Sequence, residues 1–286
     1  MNAPVAAAPQ PYANRQRSDR LGFVERAGGS RETEVAVRSA LAWLQTAQAG
    51  SGRWDCSQHG GGEERAVLGH HRSGAGSRAD SGVTALATLA YLGAGYSHEF
   101  GEYRDVVRDA LRYLADRQRS DGNLGADATT YAQMYCHSMA TFALAEAMAL
   151  TGDQRLEPTV RRAVGYSHRA QHPTGGGWRY RPGQSGDTSQ LGWQLMALRS
   201  AQLAGVEIPR TPWTGADRSL RSVARGRHGG LASYRPDAPA SRTMTAEALY
   251  CRQLLTAMVG GQVETAAASE AAAPLLDEAP GYGQFN

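Results

Sequence analysis

Three side chains in this chain of 286 residues stand where ionisable groups are rare and where acid–base chemistry would need them. Glu247 sits among Met244, Ala246, Ala248 and Leu249, so its carboxylate is either paired with an Arg or turned toward a cavity. Asp187 precedes an apolar run and is suited either to capping a helix N-terminus or to acid chemistry. His137, in the segment MYCHSMA, is either a satisfied core histidine or a proton donor and acceptor lining a cavity. Tyr135, Tyr131 and Trp193 lie on or beside the same kind of apolar segment, where rings fill a core or present π faces to a cation.

Other constellations are weaker. Cys136 and His137 are adjacent, so on a helix they project about 100° apart and are poorly placed to hold one metal. Asp55 and Cys56 stand before a Gly-rich stretch holding His59, His70 and His71, the least implausible metal cluster. No metal and no cofactor is expected. Asp80, Asp127, Asp187 and Glu247 all fall near the starts of apolar segments. Two of them about 5–10 Å apart in one cleft would suit glycoside chemistry.

The elements that must position these groups repeat. VRSALAWLQTAQAGSGRWD carries Gln48, Gly52 and Trp54, and VRDALRYLADRQRSDGNLG carries Gln118, Gly122 and Leu124. VRRAVGYSHRAQHPTGGGWRY carries Gln171, Gly176, Gly177 and Trp178. A weaker fourth copy, DRSLRSVARGRHGGLASYRP, keeps Gly229, Gly230 and Tyr234 but has no Gln. Each phrase is the end of a helix followed by a tight Gly turn. Helical periodicity predicts segments over roughly 31–49, 80–95, 102–119, 129–151, 155–171, 187–205, 213–226 and 241–259. Those over 80–95, 129–151 and 187–205 are apolar nearly all round and should be buried. Those over 102–119 and 155–171 carry Arg and Asp along one side and should lie outside. The apolar segments end near Leu92, Leu150 and Leu203, a period of about 53–58 residues that predicts stacked hairpins curving into a solenoid or closed α/α barrel. Residues 1–30 and 260–286 show no such pattern and are expected to be a mobile arm and a disordered tail, and residues 55–79 an insertion in the first turn.

Helix, Gln, Gly-x-Trp and then an apolar helix resembles the repeat of squalene–hopene cyclases and the related repeat of protein prenyltransferase β subunits. The resemblance covers about residues 31–255 and is best over GGGWRYRPGQSGDTSQLGWQLMALRSAQLAG. It implies an all-α fold, a partial α/α toroid of about four helical hairpins, and a cytoplasmic protein that binds or converts an isoprenoid or other apolar ligand. If active, it implies terpene cyclase chemistry of the isomerase or lyase type, or prenyl transfer. Asp187, His137 and Glu247 are then the acids or bases, and Tyr135, Trp193 and Thr188 the substrate-facing groups. The cyclase motif DxDD-T falls on Gln184-Ser185-Gly186-Asp187-Thr188. The protonating Asp of the family lands on Gly186, so only Asp187 and Thr188 match.

The related toroids close with about six hairpins, so four leave an arc. A truncated frame, a second copy completing the ring, or a non-catalytic interaction scaffold would each account for it. Composition narrows the classes. All basic residues are Arg, and with no Lys there is no Lys Schiff base and no Walker lysine. The net charge is +3 with no basic run, which argues against nucleic-acid binding. Aromatic content of 7% is modest for a carbocation cavity. No stretch is long and apolar enough to span a membrane, which leaves peripheral contact open, and the N-terminus does not read as a secretory signal. Three widely spaced cysteines read as free thiols.

Overall fold

The computed structural model describes residues 10–16, 19–63, 74–259 and 262–277. The fold is all-α. In chain order the helices are α1 (Gln10–Ala13), α2 (Arg20–Arg26), α3 (Arg31–Ala47), α4 (Asp80–Gly93), α5 (Arg104–Asp116), α6 (Thr130–Thr151) and α7 (Glu157–Ala170). They continue as α8 (Thr188–Leu203), α9 (Arg210–Val223), α10 (Arg242–Val259) and α11 (Thr265–Leu276). Two short strands, β1 (Ala224–Arg225) and β2 (Leu231–Ala232), pair antiparallel in the fourth Gly turn. The chain divides into two compact units, Met1–Tyr166 with Ser200–Glu207, and Ser167–Arg199 with Ile208–Asn286.

In the first unit α4 packs along α6 and against α5. Helix α5 buries Val106, Val107, Ala110, Leu111, Tyr113 and Leu114 along one apolar stripe, while its Arg and Asp side chains lie on the other side. Helix α6 is buried on most sides from Met134 to Leu150. Its one acid there, Glu146, is 4% exposed. It accepts from Tyr12 Oη at 2.5 Å, Arg15 Nη1 at 2.6 Å and Ser200 Oγ at 2.5 Å. Residues 10–16 and 20–26, expected to be part of a mobile arm, are helical, and the first of these segments is anchored here. A buried carboxylate 131 to 134 residues away supplies the partner that local periodicity cannot display.

The Gly turns obey one plan. Gly52, Gly122 and Gly176 have φ of 88°, 95° and 76°. A Cβ at these positions would run into the carbonyls of Asp109, Arg162 and Gly215 respectively, so glycine is required twice over. Each preceding Gln donates Nε2 to the turn and to the amphipathic helix of the next hairpin. Gln48 reaches Gly52 O at 2.9 Å and Val106 O at 3.0 Å. Gln118 reaches Gly122 O at 3.2 Å and Thr159 O at 2.9 Å, and Gln171 reaches Gly176 O at 2.7 Å and Pro212 O at 3.0 Å. The turn tryptophans are buried, and their indole N–H groups satisfy helix-end carbonyls, Trp54 to Leu44 at 2.8 Å and Trp178 to Ser167 at 2.7 Å.

In the second unit α10 packs against α9, α11 and β2. Helix α9 begins at Arg210, ahead of the expected 213, because Pro212 falls in its first turn, where a missing N–H costs nothing. It stops at Val223 because the next residues pair as β1. Residues 265–276, expected to be disordered, form α11 and bury Ala267 and Ala271. Glu270 of this helix takes the place of the Gln that the fourth turn lacks. Its carboxylate accepts from the amides of Arg227 at 2.6 Å, His228 at 3.0 Å and Gly230 at 2.8 Å. The Gly230 amide leads the contacts that hold its pKa below the usual carboxylate range.

Candidate functional site

Four of the six expected site residues, Asp187, Thr188, Trp193 and Glu247, belong to the second unit, and His137 and Tyr135 to the first. Asp187 ends the loop after Trp178 and is 1% exposed. Its Oδ1 caps α8 by accepting from Gln190 N at 2.9 Å, and Ser189 Oγ donates to the same oxygen at 3.1 Å. Oδ2 accepts from Tyr234 Oη at 2.8 Å and lies 3.2 Å from Arg179 Nε. Tyr180 Oη is 3.0 Å from Tyr234 Oη, and the Arg179 guanidinium stands over both rings, 4.9 Å and 5.8 Å from their centroids. Burial raises the Asp187 pKa, and the capping amide, Tyr234, Ser189 and Arg179 oppose that rise. Its hydrogen-bond partners are all donors, so both carboxyl oxygens accept and brace the turn to the helix.

Thr188 is not free to face a substrate. It is 1% exposed, its Oγ1 donates to Ser233 O at 2.7 Å, and its amide donates to Tyr234 O at 3.1 Å. Glu247 differs from both. It is half-buried on α10 and lies over Gly192 of α8, where a Cβ would come within 2.7 Å of its Oε1. Burial first, and then the negative charge of Asp187, push its pKa up to about 7, partly offset by the Gly192 amide. A carboxyl poised there exchanges protons at neutral pH. Trp193 follows Gly192 and is half-buried, and Tyr250, one helical turn beyond Glu247, is 45% exposed.

His137 has a structural post. It is fully buried, and its Nδ1 accepts from Leu124 N at 3.1 Å. Its ring meets that of Tyr166 edge-on at 4.6 Å. Burial lowers its pKa to about 3, so it stays neutral across the physiological range. The same job falls to Thr84 and Thr245, whose Oγ1 atoms accept from Trp54 N and Ala232 N, both at 3.0 Å. His137 is thus the histidine member of a recurring brace between Gly turn and apolar helix. Tyr135 is half-buried on α6.

The Asp55–Cys56 cluster does not assemble as a metal site among the described residues. Asp55 is taken up by Ser57 and Arg53, and the Cys56 thiol lies 2.9 Å from Asp80 Oδ1. Burial pushes that thiol up to about 12, so beside Asp80 it keeps its proton. His59 packs on Trp43, while His70 and His71 lie outside the described residues. His98, Glu99 and Asp153 bring their ligand atoms within 4.8 Å of one another, but Arg155 already pairs with both carboxylates. The three cysteines are free and buried. Asp80 and Asp127 line one polar cavity in the first unit.

The partners Arg179, Tyr180 and Tyr234 escaped sequence reasoning. Their signal was present, since Arg179 and Tyr180 follow the turn tryptophan and Tyr234 is the aromatic of the fourth turn. Fold and site together define an all-α protein of helical hairpins joined by Gln-braced Gly turns. No family model, curated protein or solved structure matches the chain. No helix among the described residues is long and apolar enough to cross a membrane.

Proposed function

We propose that the chain is a squalene-cyclase-like repeat protein that binds an isoprenoid or another elongated apolar ligand, with Glu247 as its proton-exchanging group. The observation that carries this reading is the half-buried carboxyl of Glu247, seated against Gly192 of α8, which Trp193 follows, with Tyr250 one helical turn along α10. A carboxyl that takes up and gives up its proton near pH 7, with aromatic residues close by in sequence on both helices, suits an apolar ligand that bears one polar or reactive end. Asp187 takes no part as an acid in this proposal, because both of its oxygens are already engaged by the α8 amide, Ser189 and Tyr234. The α/α toroid implied by the resemblance is carried forward as part of the same proposal. Farnesol, geranylgeraniol and squalene, titrated into the full chain at pH 7 with intrinsic fluorescence as the signal, test it. Saturable quenching that weakens in Tyr250→Ala and Glu247→Gln is expected. Absence of saturable binding for all three sinks the reading.

A second reading, a non-catalytic interaction scaffold, has its own observation. Helix α3 buries only Leu41 and leaves Val35, Val37 and Trp43 at 48%, 38% and 56% exposure. Exposed apolar side chains on an otherwise polar helix suit contact with a protein partner or a second copy. Light scattering of Trp43→Glu against the parent tests the second copy: an assembly that falls to monomer favours the scaffold, and a parent that is already monomeric removes self-assembly as the role of this helix.

A further inference from the structure

The first unit holds a cavity of about 480 Å³ where the loop before α4 meets the C-terminal end of α5. Its walls are mostly polar. The floor contains Tyr113 and Ser81, 8% and 1% exposed, and the rim carries Arg78 and Arg119, both exposed. The two acids at the cavity are already engaged. Asp80 accepts from Cys56 N at 3.1 Å and lies 3.5 Å from Arg53 Nε, and Asp127 pairs with Arg117 at 3.2 Å. Among the described residues neither Arg78 nor Arg119 makes an ion pair, and the Tyr113 hydroxyl has no hydrogen-bond partner. Burial, followed by the nearby Asp80 charge, raises the Tyr113 pKa, so the hydroxyl keeps its proton and is a donor.

The uncommitted chemistry of the cavity is therefore cationic and donating. Two guanidiniums at the rim and a phenol at the floor match a tetrahedral oxyanion, which offers several acceptor oxygens to Arg forks. The volume exceeds what a bare phosphate needs and leaves room for a small polar body. We propose that this cavity binds a phosphate group, free or as the ester of a small polar molecule, through Arg78, Arg119 and Tyr113. All three residues lie in the first unit, so the inference is independent of the apolar-ligand reading of Glu247.

Isothermal titration of the full chain at low ionic strength tests it, with inorganic phosphate, glycerol phosphate and glucose as probes. Saturable binding of phosphate or its ester is expected, weakened about tenfold in Arg78→Gln and in Arg119→Gln and severalfold in Tyr113→Phe. Arg119→Lys should recover part of the loss, and Arg108→Gln, elsewhere on α5, should leave affinity unchanged. Tighter binding of the ester names an organic phosphate as the occupant, and equal affinities name free phosphate. The proposal is overturned if neither phosphate probe binds saturably. It also fails if the Arg variants bind as the parent does, or if glucose binds and the Arg substitutions leave that binding intact. Melting curves by circular dichroism separate lost binding from lost fold.

Discussion

Replacing Glu247 by Gln should stabilise the protein at pH 8 and leave its stability unchanged near pH 4. The folded pKa is raised from the ordinary value of 4.5 to about 7. Below pH 4.5 the group is protonated in both folded and unfolded chains and contributes no difference. Between those two values the unfolded chain releases the proton and the folded chain keeps it, so stability falls as pH rises. Above about pH 7 the full cost is in place. At 1.36 kcal/mol per unit, the upper bound is about 3 kcal/mol, and solvent reaching the half-buried side chain reduces it. Glutamine keeps the shape and carries no charge to desolvate. Urea unfolding followed by tryptophan fluorescence at pH 4, 6 and 8 would read the effect as a variant-minus-parent difference that grows with pH. Asp187→Asn should shift the midpoint of that difference downward, because the Asp187 charge helps raise the Glu247 pKa. A difference independent of pH, or a variant less stable than the parent at pH 8, would refute the reasoning and remove the poised carboxyl from the proposed function.

Other consequences follow from the turns and braces. Gly176→Ala combines a φ of 76° with a collision at the Gly215 carbonyl and should cost about 2–4 kcal/mol. Gly183→Ala, with φ of 69° but open space around its Cβ, should cost only about 1 kcal/mol, and paired urea melts compare them. His137→Ala strips the Leu124 amide of its acceptor and opens a core cavity, for a loss of about 3 kcal/mol or more at pH 8 that shrinks toward pH 5, because below the ordinary imidazole value of 6.5 the unfolded parent takes up a proton that the folded parent refuses. Glu270→Ala should speed hydrogen exchange at the amides of Arg227, His228 and Gly230 while leaving those of α4 and α6 protected. Tyr12→Phe leaves Glu146 with one donor fewer and should weaken the docking of residues 10–16, seen as faster proteolysis of that segment.

Much of the fold was legible without coordinates because hydrophobic periodicity is a local property. The apolar runs of α4, α6 and α8, the amphipathic stripe of α5, and the Gln–Gly–Trp phrases at 48–54 and 171–178 each announce their element within about twenty residues of chain. The need for Gly at 52, 122 and 176 was legible as a turn. That each glycine also lies against a carbonyl of a later helix was not. Groups acting through long-range partners were invisible for the same reason. Tyr12 and Arg15 read as disordered until Glu146 received them, and Glu270 read as tail until it capped the fourth turn.

Among the candidate site residues, sequence determined which side chains were chemically unusual, and only tertiary structure decided which of them are engaged. Asp187, Thr188 and His137 are spent on hydrogen bonds that hold turns to helices. Glu247 is left with a small neighbour, a half-buried setting and a nearby negative charge. A residue's type is written in the chain. Its protonation depends on desolvation and on charges that folding brings within a few ångströms, and those are set by the packing of distant segments.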